Sequence, residues 1–533
     1  MFSEDSFFGR HKFLSAIGLC LLLCVLVVVV VLGFRMRGPY RSYRLDFVKP
    51  ESGAGVAPGA LQVGVAMCDI TPDLSQYDAW TDADNDNLYN PKKGDSFVDV
   101  NGNGKFDGVW LAGFGNNRPA KDVHDHIWTR AIAFRNNGVT VVMVTIDSIG
   151  IFQEEFIKVR KSLDPSLGID HVIFSSLHIH EVPDTMGLWS YPWAFLSKDK
   201  GYMELVSRAN KEAVEEAVRS LQPAEMFCAE MELEPEGFMD DSRLPEVFNK
   251  RLCCARFAKP GAGETIATLV CWSNHPETLG SRNPSLTADF CYYLRRGMES
   301  GVGPPNGVDG FGGMCLYFQG TVGGLMTQLH TTVPHRNGVE TFKEATFDKA
   351  QALGENVAIE CANLLRGDKV WENKNPKVAV AAKTIYAPMS GLMGFAMTLG
   401  FVHPGWYWGT ARTEVNVIRI GDVEVLTCPG ELYPEIAVGG VEAPAGRDFP
   451  IDPVETPGLY SLMKGKMNLI IGLANDEVGY MLPKSQWDMK PPYAYNRDKP
   501  QYGEENSGGP EVGPAYYREA VGLLERMHAH AAN

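Results

Sequence analysis

Three histidines are the residues of this sequence whose type and spacing point most directly to chemistry. His178 and His180 flank Ile179, and His275 lies between Asn274 and Pro276. Neutral imidazole binds zinc well, and a catalytic zinc usually takes about three protein ligands and leaves one position open. Because alternate side chains of an extended segment share a face, one of His178 and His180 would bind the metal while the other works beside it. The alternative is a set of hydrogen-bonded loop histidines without a metal.

A second group of side chains has the alternating pattern of a calcium loop. Its members are Asp99, Asn101, Asn103, Lys105 and Asp107, with a glycine at the sixth position. The same alternation occurs nearby at Asp82, Asp84 and Asp86. Oxygen ligands spaced in this way wrap a hard cation, although the twelfth position is Trp110 and not the glutamate of an EF-hand. We predict calcium at one or both segments, bracing an insertion at residues 78–110; a solvated turn is the alternative.

The side chains that could do this chemistry follow directly after short β-type runs. These runs are His171–Ser175, Ile266–Trp272, Val423–Leu426 and Asn468–Ile471. They lead into the polar clusters His178–Glu181, Asn274–Glu277, Pro429–Glu431 and Asn475–Glu477, with Tyr480 beyond. Together with amphipathic helical stretches, the runs predict an α/β (α+β mixed) domain over residues 61–533, with a large mixed sheet flanked by helices. Sites in such sheets lie beyond the carboxyl ends of the strands, where these side chains would gather.

Charge and missing motifs exclude several classes of function. The 49 Lys and Arg residues against 65 Asp and Glu residues give a net charge of −16, which repels phosphate backbones, so no nucleic-acid partner is expected. The sequence has no P-loop, no GxGxxG after a strand and no GxSxG, so nucleotide transfer and the common α/β-hydrolase design lack support. Eleven scattered cysteines without a CxxC pair give no cysteine-rich zinc site.

The first sixty residues differ from the rest of the chain. Phe13 to Phe34 carries no charge and, as a helix, is long enough to cross a bilayer. We therefore predict a short N-terminal segment at 1–12, a transmembrane signal anchor at 13–34 and a Gly/Pro/Ala-containing linker at 35–60. Arg10 and Lys12 precede the span, whereas Arg35, Arg37, Arg41 and Arg44 follow it. Taken alone, this distribution mildly favours a cytoplasmic body.

Five segments, in order along the chain, resemble the N-terminal catalytic domain of the neutral/alkaline (non-lysosomal) ceramidases, which are zinc amidases that cleave the N-acyl bond of ceramide. The similarity covers about Val63 to Pro514. The matching segments are Val63–Pro72 (family G-x-G-x-x-D-I-T), Ser176–Pro183 (T-H-T-H-S-G-P), Asn274–Asp289 (T-H-P, then S-A-D), Cys428–Glu431 (P-G-E) and Leu473–Glu504 (N-x-x-x-x-Y, then Y-E-G-x-S). No single match is specific, but their common order is.

The resemblance implies a role for seven residues. As zinc ligands it implies His178, His275, Glu431 and Tyr480. As residues facing the substrate it implies His180, Arg243 and Tyr502, with Arg243 in a segment similar to the family's N-R-S-P. A zinc site of this kind needs an open position for water or a carbonyl and a nearby donor for the developing oxyanion.

Two departures separate this chain from the family pattern. Gly323–Thr327 is similar to the family's G-D-V-S-P but has Met326 in place of the proposed serine nucleophile, and Thr327 comes one position late. A thioether cannot attack a carbonyl, so water would have to do the hydrolysis, or the reaction differs, or activity is lost. We also expect the family's C-terminal immunoglobulin-like domain to be missing after Pro514.

These observations lead to one leading hypothesis and two rivals. The first is a membrane-anchored zinc hydrolase that cleaves an amide or ester bond of an N-acylated substrate, with a small molecule or a lipid as partner. The second is a catalytically inactive ceramidase-like binding protein with a structural metal, which Met326 favours. The third is a calcium-dependent adhesion module. Because the family acts mostly outside the cytoplasm and calcium loops fill there, we expect a single-pass membrane protein with an extracytoplasmic (periplasmic or extracellular) body.

Overall fold

Three five-stranded sheets, with helices around them, make up most of the fold. The computed structural model describes residues 12–35, 38–50, 59–191, 198–261, 263–374, 376–398, 402 and 409–531. The α/β class is confirmed, while the single large sheet that the sequence suggested is divided into several. The division follows from burial, because strands that are apolar on both faces can stack sheet upon sheet as well as against helices.

The first sheet carries the histidine pair at the end of one strand. Its strand order is His171–Ser176, Val139–Ile146, Trp128–Asn136, Gln62–Asp69 and Gln222–Pro223. The first two strands are parallel, and the next two neighbouring pairs are antiparallel. A hairpin turn at Asn137 and Gly138, with φ of +43° and +79°, joins Trp128–Asn136 to Val139–Ile146.

The second and third sheets carry the other segments of the site. The second has the order Met314–Gln319, Thr265–Trp272, Arg251–Ala258, Glu225–Glu232 and Trp371–Asn373. The third has the order Asp46–Lys49, Val378–Pro388, Thr410–Ile420, Val423–Thr427 and Met467–Ile471. Each contains one parallel pair, formed by Thr265–Trp272 with Met314–Gln319 and by Val423–Thr427 with Met467–Ile471.

Short two-stranded pairs complete the β structure of the described residues. They are Ala79–Thr81 with Ser96–Val98, Asp122–Val123 with Ser285–Leu286, Asp240–Asp241 with Met326–Thr327, Gly301–Val302 with Val308–Asp309, Val333–Pro334 with Thr341–Phe342, and Glu431–Leu432 with Tyr480–Met481. The last pair is parallel and sets Glu431 directly beside Tyr480.

Helices cover the outer faces of the sheets. Those of the body are Gln153–Ser162, Lys200–Arg219, Phe290–Ser300, Phe347–Arg366, Gly391–Thr398, Pro434–Val438, Leu459–Leu462, Tyr502–Glu505 and Val512–Ala531. The helix Phe347–Arg366 begins where it does because the Thr346 side chain caps it by accepting a hydrogen bond from the Lys349 amide. Shortly before it, residues 341 and 342 form a strand.

The alternation of side chains shows how the layers are stacked. In Trp128–Asn136, Ala131 and Ala133 face a core shared with the helices, whereas Ile132 and Phe134 face a core built from strands of all three sheets. The small residues allow the helices to approach closely. Gly64 on the neighbouring strand has the same role, since a Cβ there would lie 2.1 Å from the carbonyl oxygen of Ala217.

Part of the predicted linker at 35–60 is a strand of the body. Asp46–Lys49 extends the third sheet by pairing with Val380–Lys383, with Phe47 packed against the core of the sheets. The preceding residues are also held, because Arg412 donates a 2.7 Å hydrogen bond to the Tyr40 carbonyl and Arg160 a 2.8 Å bond to the Tyr43 hydroxyl. Residues 51–58 lie outside the described part of the chain. The body thus begins near Tyr40.

The N-terminal helix spans Lys12–Arg35. Its segment Ala16–Gly33 has a mean hydropathy of 3.2 and is exposed throughout, so by length and composition it can cross a membrane. A signal sequence has the same properties. Of the predicted segment 1–12, only Lys12 lies within the described residues.

Candidate active site

His178, His275, Glu431 and Tyr480 meet where strands of the three sheets end. The rings of His178 and His275 are 5.0 Å apart, and both present Nε2 to the same oxygen, Oε2 of Glu431, at 3.4 and 3.1 Å. Tyr480 hydrogen-bonds to the Glu431 carboxylate as well. The four residues implied as zinc ligands are therefore neighbours in space, although more than three hundred positions separate the first from the last.

His178 is held by backbone contacts and by an unusual backbone conformation. Its Nδ1 donates a 2.8 Å hydrogen bond to the Ile149 carbonyl, which leaves Nε2 to face Glu431. Its φ of +65° lies in the left-handed region, which costs a non-glycine residue about 1 kcal/mol or more. Such strain is retained where the surrounding structure fixes a residue, as the Ser148 and Ile149 carbonyls do here by accepting hydrogen bonds from the His178 amide and ring.

His275 is held in the same way by the Met326 carbonyl. That oxygen accepts hydrogen bonds from both the His275 amide, at 3.0 Å, and the ring Nδ1, at 2.9 Å. Burial lowers the pKa of His275, but the hydrogen bond to Glu431 and the charge of Glu277 outweigh it and raise that pKa to about 9. Burial lowers the pKa of His178.

This donor set fits a zinc ion. Each of the two histidines donates its Nδ1–H to a backbone carbonyl, so the Nε2 atom of each faces the same carboxylate oxygen of Glu431. Lone pairs on Nε2 and on the oxygen repel one another, and a proton or a cation between these atoms makes the arrangement favourable. A carbonyl acceptor behind each imidazole is the usual outer partner of metal-binding histidines. Imidazole, carboxylate and phenolate oxygen suit zinc by their chemistry.

A second possible set of metal ligands consists of His178, His180 and His275. One ring nitrogen from each of His178, His180 and His275 lies within 4.8 Å of the other two. His180, however, has no carbonyl behind it: neither ring nitrogen has a hydrogen-bond partner among the described residues, and Nδ1 lies 3.3 Å from Oε2 of Glu277. Burial keeps its pKa well below the ordinary value, so the imidazole is neutral near pH 7. This environment suits proton transfer better than metal binding.

Two sets of hydrogen bonds, one from a side chain and one from the backbone, hold the strand ends together. The Gln319 side chain donates to the carbonyls of Leu177 and Asn274, the residues just before His178 and His275. The segment Gly472–Asn475 bonds in turn to Gln319, Gly430, Cys428 and Phe174. The three sheets are therefore joined to one another at the site itself. The sequence pattern did not predict a role for Gln319, because a glutamine at the end of a buried strand has no distinctive spacing.

A cleft opens beside these residues and is mostly apolar. It encloses about 760 Å³, including its mouth. Its apolar wall is formed by Phe152, Met186, Leu188, Trp189, Met389 and Met397. Its polar end is formed by His178, His180, Glu431, Glu477, Tyr480 and Tyr502. Gly113, with φ of +95°, also lines it, and a Cβ there would lie 2.3 Å from Cγ of His180.

Tyr502 and Arg243, both expected to face the substrate, lie in different surroundings. Tyr502 lines the cleft and is 52% exposed, and burial of the hydroxyl raises its pKa to about 12. Arg243 is 1% exposed, is absent from the cleft wall, and bonds through its guanidinium to Glu504 at 2.9 Å and Glu435 at 3.4 Å. In this structure Arg243 supports the site from behind instead of contacting a ligand in the cleft.

Met326 is part of the core. Its side chain is fully buried in the core that also contains Ala131 and Ala133, and its carbonyl reaches the site through His275. Thr327 is also buried, and its hydroxyl hydrogen-bonds to Glu277. The position of the family's serine thus supplies no nucleophile to the cleft.

Two glutamates at the site were not assigned a role from the sequence. Glu477 lines the cleft at 5% exposure; its Oε1 accepts a 2.9 Å hydrogen bond from the Gly479 amide, and its Oε2 has no hydrogen-bond partner among the described residues. Glu277 lies beside His180. Burial raises the pKa of both carboxyls. Both residues belong to polar clusters that follow predicted strands, which was the signal that could have found them.

The two calcium-like segments are shaped largely by their own side chains. In the first, Asp99 accepts hydrogen bonds from the backbone amides of Gly102, Asn103 and Gly104. The side-chain Nδ2 groups of Asn101 and Asn103 donate to Asp107. The backbone amide of Lys105 donates to the Asn103 side chain.

In the second calcium-like segment, the carboxylates of Asp82, Asp84 and Asp86 come within 4.8 Å of one another. Lysines already contact them, with Lys93 at Asp84 and Asp86 and Lys121 at Asp82. Calcium at these segments stays a prediction.

By its fold the chain is a ceramidase-like α/β protein, as the motif resemblance implied. The crystal structure of neutral ceramidase from Pseudomonas aeruginosa superposes with a TM-score of 0.62 at 16% identity, covering 89% of this chain and 75% of that one. A ceramidase complexed with C2 gives a TM-score of 0.62 at 15% identity, covering 88% and 75%. In sequence alone, neither protein-family models nor curated proteins match this chain. The shared property is therefore the fold.

Proposed function

We propose that this protein is a zinc-dependent hydrolase of the neutral ceramidase type, which cleaves an amide or ester bond of an N-acylated lipid and is held at a membrane by its N-terminal helix. The observation that carries the proposal is the convergence of two Nε2 atoms on one carboxylate at the polar end of an apolar cleft. A bound zinc would polarise a carbonyl and lower the pKa of a water molecule.

The cleft fits an acyl group with a polar linkage at one end. Methionine, leucine and aromatic side chains along the wall would take the hydrocarbon chain, since each buried CH₂ contributes about 0.8 kcal/mol. The linkage would then lie between His180 and Tyr502. His180, neutral and without a hydrogen-bond partner among the described residues, is suited to move a proton. Tyr502, protonated at neutral pH, is suited to donate a hydrogen bond to a developing oxyanion.

The test is the metal content of the full-length chain purified in detergent, for the wild type and for His178→Ala combined with His275→Ala. We expect about one zinc per wild-type chain and none in a double variant that keeps its fold by circular dichroism. His126→Ala is the control, because that histidine is exposed and pairs with Asp69 at the surface. A folded, zinc-supplemented wild type without zinc contradicts the proposal.

The inactive binding protein is the second candidate, and the burial of Met326 favours it. A screen of N-acyl amides and lipid esters with the zinc-loaded protein separates the two. Hydrolysis that is lost in the double variant supports the enzyme. Saturable binding of acylated lipids without turnover supports the binding protein.

A further inference from the structure

Glu477 is a buried acid in the cleft wall that has no cation paired with it among the described residues. Some buried acids of this chain are paired with a cation, as Glu414 is through two hydrogen bonds from Arg160. Glu477 has a single bond, to the Gly479 amide, and its second oxygen is unpartnered among the described residues. A buried polar atom left without a partner costs about 1–3 kcal/mol. A residue retained at that cost in the wall of the site calls for a chemical role.

The surroundings of Glu477 fix its position on the cleft wall. The preceding residues Leu473 and Asn475 have φ of +46° and +65°, and the Asp476 carboxylate accepts hydrogen bonds from the Gln153 and Glu477 amides. Gly150 leaves room for the side chain, since a Cβ there would lie 2.8 Å from Cγ of Glu477. The carboxylate is thus held in the same cleft as His178, Glu431 and Tyr480 without forming part of their hydrogen-bonded group.

We propose that Glu477 is the general base of the hydrolysis and activates the water molecule that attacks in place of the family's serine, whose position Met326 occupies. This inference rests on the hydrolase function proposed above. Glu477 removes a proton from a water molecule while the water oxygen forms a bond to the acyl carbon. The proton passes to the leaving nitrogen as the C–N bond breaks, so that one amide and one water give one carboxylic acid and one amine. In an ester the leaving oxygen receives the proton.

Glu477→Gln tests the assignment because it keeps the shape and removes only the basic oxygen. We expect kcat for the best N-acyl amide to fall by about 10²–10⁴-fold with KM unchanged. Zinc content should equal that of the wild type. The melting temperature should be equal or higher, because a neutral amide is less costly to bury than a carboxylate. Glu477→Ala should regain activity, by about tenfold, when formate is added as a replacement base.

Glu455→Gln is the matched control. Glu455 is fully buried, also accepts one backbone hydrogen bond, from Lys484, and also has an unpartnered oxygen, but it is not in the cleft wall. Glu455→Gln should change the melting temperature in the same direction as Glu477→Gln and leave kcat unchanged.

An active wild type with an equally active Glu477→Gln overturns this inference alone. So does a Glu477→Gln variant that melts lower than the wild type and whose alanine counterpart formate does not rescue. A zinc-loaded wild type that hydrolyses no substrate overturns the proposed function and this inference with it.

Discussion

Arg243 is a buried arginine between two carboxylates, a position in which an arginine contributes to stability and does not contact a ligand in the cleft. Its guanidinium is shared between Glu504 and Glu435 and lies 4.5 Å from the centre of the Tyr433 ring. Motif similarity predicted a substrate-facing role for this residue, but it could not indicate on which side of the cleft wall the side chain would lie.

Removing this side chain should therefore affect stability first. Arg243→Ala leaves two buried carboxylates without their cation, and we expect the free energy of unfolding to fall by about 3–5 kcal/mol in urea titrations. Arg526→Ala is the control, because its pair with Asp46 is largely exposed and should contribute less than about 1 kcal/mol. An Arg243→Ala protein that is as stable as the wild type yet inactive would restore the substrate-facing role.

At the scale of elements, the strand ends could be predicted and the ties between them could not. Apolar runs that stop at polar clusters located His178, His275 and Glu431 at strand ends, because burial fixes where a strand must end. Gln319 and the Gly472–Asn475 segment act through backbone contacts to residues far away in sequence, which local patterns do not encode. Glu477 followed the pattern, but its unpartnered oxygen is visible only once the fold is formed.

The edge strand Asp46–Lys49 was missed for a related reason. Four residues within a segment rich in glycine, proline and alanine carry too little periodicity to predict a strand. Its stability comes from the partner strand and from Phe47 against the ring of His171. Val48 adds to it by packing against the core between the third sheet and the helix Val512–Ala531. The boundary between linker and body consequently moves toward the N-terminus by about twenty residues.

Two truncated chains measure what this strand contributes. A chain that begins at Gly38 keeps Tyr40, Tyr43 and the strand, whereas one that begins at Leu61 loses all three. We expect the shorter chain to melt lower, since burial of an aromatic side chain such as Phe47 alone contributes about 1.5–3 kcal/mol. It should also aggregate more readily, because the edge of Val378–Pro388 is left unpaired. The longer chain controls for loss of the anchor, and equal melting temperatures would show that the strand is dispensable.

At the scale of the whole molecule, the helix and the cleft are connected by very little chain. Arg412 binds Tyr40 and also donates to Gln153 and Glu154, which directly follow the cleft residue Phe152. Only five peptide steps separate the helix end at Arg35 from Tyr40, a span of at most about 18 Å. With the helix in a membrane, as we propose, the cleft would be held close to the lipid surface.

Lengthening this connection should separate membrane substrates from soluble ones. With about twenty Gly and Ser residues inserted between Arg37 and Gly38, the body can move several nanometres from the bilayer. We expect hydrolysis of a long-chain N-acyl lipid in vesicles to fall severalfold, while hydrolysis of a short-chain, water-soluble N-acyl amide stays unchanged. The uninserted chain is the reference, and an equal loss for both substrates would point to damage of the body.

The short connection between the N-terminal helix and the body has a consequence for how such a protein would meet its substrate. A body held close to the bilayer that contains its helix would meet lipid substrates by diffusion within the plane of that membrane. Encounters would then depend on lateral diffusion and on the mole fraction of substrate among neighbouring lipids. Bulk concentration in the aqueous phase would hardly matter, and each molecule would clear a patch of the membrane in which it resides. Diluting the substrate with inert lipid would slow turnover, whereas diluting the vesicles would not.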